Sequence, residues 1–416
     1  MQRTSLLVAL AAPAILFSQQ YDLILKNGHV IDPRNNINGI MDVAIAAKKI
    51  AKVAKDIPAG DGKKVVDAKG LYVTPGLVDI HVHVYAGTGV ADSFAGDSSV
   101  YPDAHMLRAG VTTVADAGSS GWRNFEDFKQ RIIDRSKTRV LSMLNIVGRG
   151  MGGGKIEQNT KDMDPQATAA MAKKYPRIIV GIKTAHYMAP DWIAVDRAVE
   201  AGKDADIPVM VDFGRFSPDR PYQDLVLKHL RPGDISTHMY VGAAPLMDTS
   251  GKLLPYLSDA RKRGVKFDLG HGNASFAWKQ AAGAVKQAFL PDSISTDAHI
   301  RSLQRSMKDM PTTMSKMLVL GIPLEQVVRM STINPAMEIK RPEFGHLGVG
   351  AGADVTVLRL AQGDFGLLDG AMYRYPARQK LVCEMTLRDG EIVWDANGLA
   401  SDDWTTSSTS TKRSQR

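Results

Sequence analysis

The chain has 416 residues, 44% hydrophobic, 23% charged and 6% aromatic, with a formal charge of +8. That is a globular mixture with enough apolar content for a large core. Lys and Arg stand beside Asp and Glu along most of the chain, without a basic run interleaved with aromatics. This argues against nucleic-acid binding, while a mild positive balance suits a small anionic substrate. The one cysteine, Cys383, excludes an internal disulfide and a Cys-rich zinc site, so a metal must be held by His, Asp, Glu or Lys.

Residues 1–18 place Arg3 before an apolar run from Leu6 to Phe17. The pattern predicts a signal peptide and an exported chain, periplasmic or secreted; without cleavage the protein stays cytoplasmic or keeps an apolar anchor. The run is short for a bilayer and Pro13 interrupts it, so no stable membrane insertion of the mature chain is expected. A homo-oligomer is left open.

Next come YDLILKNGHVIDP and the stretch from Asp42 to Val53, short strands punctuated by Asn27-Gly28 and Gly60-Asp61-Gly62. Near the other end, ADVTVLRL (353–360) and KLVCEMTLRDGEIVW (380–394) alternate apolar and polar residues, with Asp389-Gly390 as a hairpin turn. Segments 19–74 and 345–395 therefore predict one small β-sandwich built from both ends. Residues 396–416, rich in Ser, Thr and Lys, read as a disordered tail.

Between them, residues 75–344 alternate short apolar runs with helical patterns. The runs are GLVDIHVHV (76–84), VTTVADAG (111–118), RVLSMLNIVG (139–148), RIIVGIKT (177–184), IPVMVDFG (207–214), DISTHMYV (234–241), VKFDLGHG (265–272) and DSISTDAH (292–299). Eight such units over this length predict a (β/α)8 TIM barrel. An open doubly wound sheet is the rival, but no G-x-G-x-x-G follows the first run.

Polar residues stand at the C-terminal ends of these runs, where a barrel keeps its reactive groups. They are His81 and His83, Lys183, Asp212, His238, His271 and Asp297. His81 and His83 are two apart, so both imidazoles share one face of a strand and can reach one cation. Lys183 is out of place among cation ligands: burial favours its neutral amine, which can take up carbon dioxide as a carbamate, and the plain alternative is a salt bridge to Asp212 or Asp297. Asp297 can ligate a metal and act as general base. Softer candidates for holding substrate are His271, Arg149 or Lys155 in the glycine-rich loop GRGMGGGK (148–155), Tyr187, Arg215 and Arg301. His29, His105, His299 and His346 read as structural or surface residues, His229 as part of a helix, and His186 as lying just beyond Lys183.

PGLVDIHVH, the Lys of VGIKT, the His of STHMY and the Asp of STDAH resemble the amidohydrolase superfamily, and GHLGVGAGADVTVL (345–358) resembles its return to the terminal sandwich. The resemblance spans roughly residues 21–395. It implies two divalent metals, zinc in most members, held by His81, His83, His238 and Asp297 and bridged by N6-carboxylysine at Lys183 and a hydroxide. GHGNASF, STDAH with Arg301, and LRPGDISTHMY are similar to the dihydroorotase-like amidohydrolase/deacetylase branch. The implied activity is hydrolysis of an amide or ester in a small anionic molecule, with Asp297 as general base and acid. Cyclic-amide hydrolysis is the alternative within enzymes, and a non-catalytic barrel is the alternative outside them. One departure stands out: the fifth run carries Asp212 where the family has His; Asp212 can still ligate zinc or manganese through oxygen, no nearby histidine is expected to replace the missing one, and the second metal is then bound differently, more weakly, or is another ion.

Overall fold

The computed structural model describes residues 19–405 apart from Arg215. The leader call on 1–18, the end of the tail and the Arg215 call lie outside the described residues. Chain order gives β1 (Leu23–Asp32), β2 (Ile37–Ala46), β3 (Lys49–Ala54), β4 (Val65–Asp67) and β5 (Tyr72–Pro75) before the barrel. After it come β13 (Val355–Leu368), β14 (Arg374–Arg388) and β15 (Glu391–Asp395). These eight strands hydrogen-bond in the order β15-β14-β13-β5-β1-β2-β3, with β4 also on β1. Both ends of the sequence thus build one domain. The sheet folds over a shared core in which Val43, Ile50, Val73, Val355 and Met385 meet, and Lys49 bridges Gly352 across the fold.

Two turn readings divide. Asp389-Gly390 does join β14 to β15. Asn27-Gly28 does not end a strand: β1 runs through it with a register shift between Leu25 and Gly28, a bulge whose Asn27 has φ 61°. At the start of the expected tail, Asp395 accepts the amides of Leu399 and Ala400 at 2.9 Å.

The middle is the barrel. Its strands are β6 (Leu77–Val82), β7 (Val111–Gly121), β8 (Arg139–Asn145), β9 (Ile179–Thr184), β10 (Val209–Val211), β11 (Ile235–Ser236) and β12 (Lys266–Phe267), all parallel and in sequence order. The eighth run, 292–299, is too irregular to count as a strand but closes the ring: Ser293 bridges Asp268 and Ala298 bridges Val82, both parallel. Alternate side chains fill the interior, among them Ile80, Ala115, Met143, Val180, Met210 and Ile235. Helices Phe125–Arg131, Pro165–Lys174, Ile193–Asp204 and Pro255–Lys262 cover the outside where helical periodicity was read. The second of these starts with Asp164 capping the Ala167 amide at 2.9 Å and Pro165 in the first turn, positions that suit each residue.

Hydrogen counting assigns a proton beneath the barrel. Ser293 Oγ lies 2.8 Å from Asp268 Oδ1 and 2.9 Å from Glu338 Oε2, yet has a single hydrogen. Asp268 also receives Thr237 and Ser295 hydroxyls at 2.7 and 2.6 Å, and these bonds with His81 hold it below the ordinary carboxylate value despite burial. Glu338 is pushed well above its ordinary value of 4.5, first by burial and then by Asp292 and Asp268. Asp268 is therefore the anion that Ser293 serves, and a neutral Glu338 donates to Ser293. An acid whose folded pKa is raised holds a proton that the unfolded chain has lost, so stability falls as pH rises above 4.5 toward the folded value. Glu338→Gln retains a neutral donor and is expected to remove that slope and to stabilise the protein at neutral pH. Urea denaturation across pH 4–8 checks this; an unchanged slope would place the proton elsewhere.

Candidate active site

The C-terminal ends of the barrel strands bring six of the seven expected residues into one connected cluster. Asp297 Oδ1 lies 3.1 Å from His83 Nε2 and 3.6 Å from His81 Nε2. Ligand atoms of these three buried residues all fall within 4.8 Å of one another. His238 Nε2 continues the cluster, 4.0 Å from Asp297 Oδ2 and 3.6 Å from Asp212 Oδ2. Lys183 Nζ approaches His81 Nε2 at 3.1 Å.

The imidazoles are oriented from behind. Thr237 gives its hydroxyl hydrogen to Asp268, so at 2.9 Å it accepts from His81 Nδ1. A carbonyl only accepts, so His238 Nδ1 donates to Gly270 O at 2.6 Å. His83 Nδ1 meets Ser119 Oγ at 2.9 Å. With Nδ1 engaged on the scaffold, the Nε2 atoms face inward, the orientation that metal-binding histidines take from their outer partners. Burial, the largest effect, with nearby Lys183 lowers the His81 pKa to about 3, keeping the ring neutral.

Asp297 is the pivot. Burial raises its pKa, but the imidazoles of His81, His83 and His299 outweigh this and hold it well below the usual range. Its Oδ1 is buried without an aligned hydrogen bond. A buried, ionised oxygen without an aligned hydrogen bond is costly, and the Nε2 atoms of His83 and His81 stand 3.1 and 3.6 Å from it. A divalent cation satisfies all three, so the donors present fit one.

Lys183 is fully buried on β9. Burial, the largest effect, lowers its pKa against the pull of Asp212, Asp297 and Asp268. Its aliphatic stem lies over Gly118: a Cβ there would stand 2.7 Å from both Cβ and Cγ of Lys183, and φ is already +85°. The expected rival, a salt bridge to Asp212 or Asp297, does not form among the described residues; Nζ instead meets His81 and, at 3.5 Å, Met210 Sδ.

Above the cluster opens a cavity of about 330 Å³ lined by Phe94, His186, Asp212, His238, Asn273, Asp297, His299 and Arg301, among others. Larger hollows of about 440 and 710 Å³ lie under the barrel around Glu338 and against the terminal sheet. Neither reaches the histidines.

Several substrate-side expectations need correction. His271 is sealed from the cavity: it is fully buried, Nδ1 donates to Gly272 O at 2.9 Å, and Nε2 accepts from Lys316 Nζ at 2.5 Å. Lys316 itself is lowered by burial to about 7. Tyr187 turns its hydroxyl to Asp191 at 3.0 Å, and Arg149 is exposed and lines no part of the cavity. Arg301 does reach the rim, where it pairs with Asp92 at 3.2 Å. Two residues were passed over. His299 is buried beside Asp297, its ring 4.9 Å from Phe94, and burial lowers it to about 4. His186 sits 3.2 Å from Asp212 Oδ2. His186 lies three residues after Lys183 and His299 two after Asp297, and that position was the available signal.

Comparison with known proteins agrees. Residues 276–393 match the amidohydrolase family model. A deacetylase from Brucella anthropi is 34% identical over 328 residues, 77% of this chain and 79% of that one. A solved adenine deaminase superposes with a TM-score of 0.81 at 28% identity, covering 90% of this chain and all of the other. A solved dihydroorotase gives 0.76 at 29% identity, covering 90% and 99%. The chain belongs to the amidohydrolase superfamily. It is a hydrolase acting on carbon–nitrogen bonds of small molecules, in a family that uses divalent metals.

The packing of Gly118 under Lys183 makes a test. Gly118→Ala is expected to cost about 2 kcal/mol or more, from the left-handed backbone and the contact together. Chemical denaturation reads it, and an unchanged midpoint would show that Lys183 can move aside freely.

Proposed function

We propose that this protein hydrolyses an N-acyl or O-acyl bond in a small anionic molecule. The supporting observation is the unpaired Asp297 Oδ1 facing two imidazoles at the floor of an open cavity. His81, His83 and Asp297 would hold one divalent ion, zinc by resemblance, with His238 and a carboxylated Lys183 toward a second. Such ions supply a Lewis acid for the carbonyl oxygen and lower the pKa of bound water.

The chain's own residues do the rest. Lys183, buried and favoured as the neutral amine, attacks carbon dioxide: the N–C bond forms, one proton leaves, and a carbamate results. Asp297, ionised by its neighbours, accepts the proton of the attacking water through the carboxylate oxygen left over from ligation. It returns that proton to the departing nitrogen or oxygen. Phe94 and His299 wall one side of the cavity, and Arg301 at its rim offers a cation to a substrate carboxylate. A cavity of about 330 Å³ is at the small end for ligand sites, which supports a small acid over a polymer. The name carried by the Brucella anthropi relative supports an acyl leaving group.

Asp297→Asn is expected to lower turnover by about 10²–10⁴-fold, the usual worth of a positioned acid–base group. Steady-state rates on N-acyl amino acids, acyl hydroxy acids and dihydropyrimidines check both the role and the class. Rates equal to wild type would remove Asp297 from the chemistry. Turnover confined to the dihydropyrimidines would replace acyl cleavage with ring opening.

A further inference from the structure

By the resemblance strand five carries Asp212 where a histidine is expected, and, against the expectation that no nearby histidine replaces it, the structure sets the His186 ring 3.2 Å from Asp212 Oδ2. On the metal-hydrolase reading above, we infer that His186 supplies the missing nitrogen ligand, so that His186, Asp212 and His238 hold the second cation and Glu157 positions the His186 ring.

The donor spacing is that of a coordination shell. In a tetrahedral shell with ligands about 2.0–2.2 Å from the metal, neighbouring donors stand roughly 3.4 Å apart. Asp212 Oδ2 lies 3.2 Å from His186 Nε2 and 3.6 Å from His238 Nε2. The first-site pair shows the same spacing, 3.1 and 3.6 Å around Asp297 Oδ1. Asp212 and Asp297 thus hold equivalent positions on the two sides of His238. All three second-site donors line the cavity floor or wall.

His186 is also held from behind as a ligand would be. Its Nδ1 lies 2.7 Å from Glu157 Oε2, and Glu157 is buried, its other oxygen accepting the Gly153 amide at 2.9 Å. A carboxylate on Nδ1 leaves Nε2 as the metal-facing atom, the arrangement that raises ligand basicity and fixes the ring. The glycine-rich loop that follows β8 then has a purpose that its Arg and Lys do not reveal: it carries Glu157 under His186.

The backbone is bent to deliver the ring. His186 adopts φ 56°, in the left-handed region, uncommon for a residue with a Cβ though histidine is among those that tolerate it. On the neighbouring strand end, Gly214 leaves the room: a Cβ there would stand 3.1 Å from His186 Cα. Asp212 is therefore accompanied by a neighbouring ring, an orienting carboxylate and a bare position beside that ring.

The test counts metal rather than turnover. Full-length protein stripped by chelation is titrated with Mn²⁺, with bound ions counted by mass spectrometry and the spin-coupled pair read by electron paramagnetic resonance. Two ions and a coupled spectrum are expected for the wild type. His186→Ala should keep one ion, lose the coupling, and bind the second at least 100-fold more weakly. Glu157→Gln should weaken only the second ion, by about 10–100-fold, and covers the case in which His186→Ala does not fold. Adding Asp212→His to His186→Ala should restore the second ion. A wild type that binds one ion, or a His186→Ala variant that binds two with unchanged affinity, would overturn the assignment and leave His186 and Asp212 as an ion pair. Inactivity on the acyl panel with both ions in place would count against the proposed reaction alone.

Discussion

The site depends on a constraint that costs each histidine one of its two nitrogens. His81 gives Nδ1 to Thr237, His238 gives it to Gly270 O, and His83 pairs it with Ser119. Once those bonds are made, the rings of His81 and His238 can neither flip nor change tautomer without stranding a buried polar atom. The Nε2 atoms of the three rings converge on Asp297, at 3.1 Å for His83, 3.6 Å for His81 and 4.0 Å for His238. This convergence persists because the barrel holds each ring from outside the cluster.

The support reaches to the opposite face. His81 leans on Thr237, Thr237 on Asp268, and Asp268 on Ser293 and Ser295; Ser293 in turn takes a hydrogen from Glu338. One hydroxyl hydrogen cannot serve two carboxylates, so one of them is neutral, and burial beside Asp292 and Asp268, which raises Glu338, points to Glu338. A carboxylic acid kept neutral at the barrel floor lets an anion persist at its middle, and that anion fixes the tautomer of an imidazole at its mouth. Buried polar networks of this kind are sensitive to any single unsatisfied member.

The same reasoning separates the residues that can act from those that only support. His271 has both nitrogens engaged, one with Gly272 O and one with Lys316, and nothing left for a ligand. Asp297 has an oxygen without an aligned hydrogen bond, and His186 lines the open cavity with its Nε2 3.2 Å from the carboxylate of Asp212. Proximity to the cluster is shared by all three. Access to the cavity is not.

The sequence by itself determined the alternation of strands and helices, the domain assembled from both ends, and the strand-end positions of His81, His83, Lys183, His238 and Asp297. Each is legible because side-chain direction along a strand has a period of two, and because a parallel barrel gathers the C-terminal ends of all its strands on one face. It also exposed the anomaly at Asp212. What only the tertiary structure decided lies past the strand ends: that His186 turns back onto Asp212, that His299 is buried while Tyr187 faces Asp191, and that Asn27-Gly28 is a bulge rather than a turn. Loop backbone has no periodicity to read, and its course is set by contacts such as Gly214 against His186 and Glu157 beneath it, between residues that the chain keeps far apart until it folds.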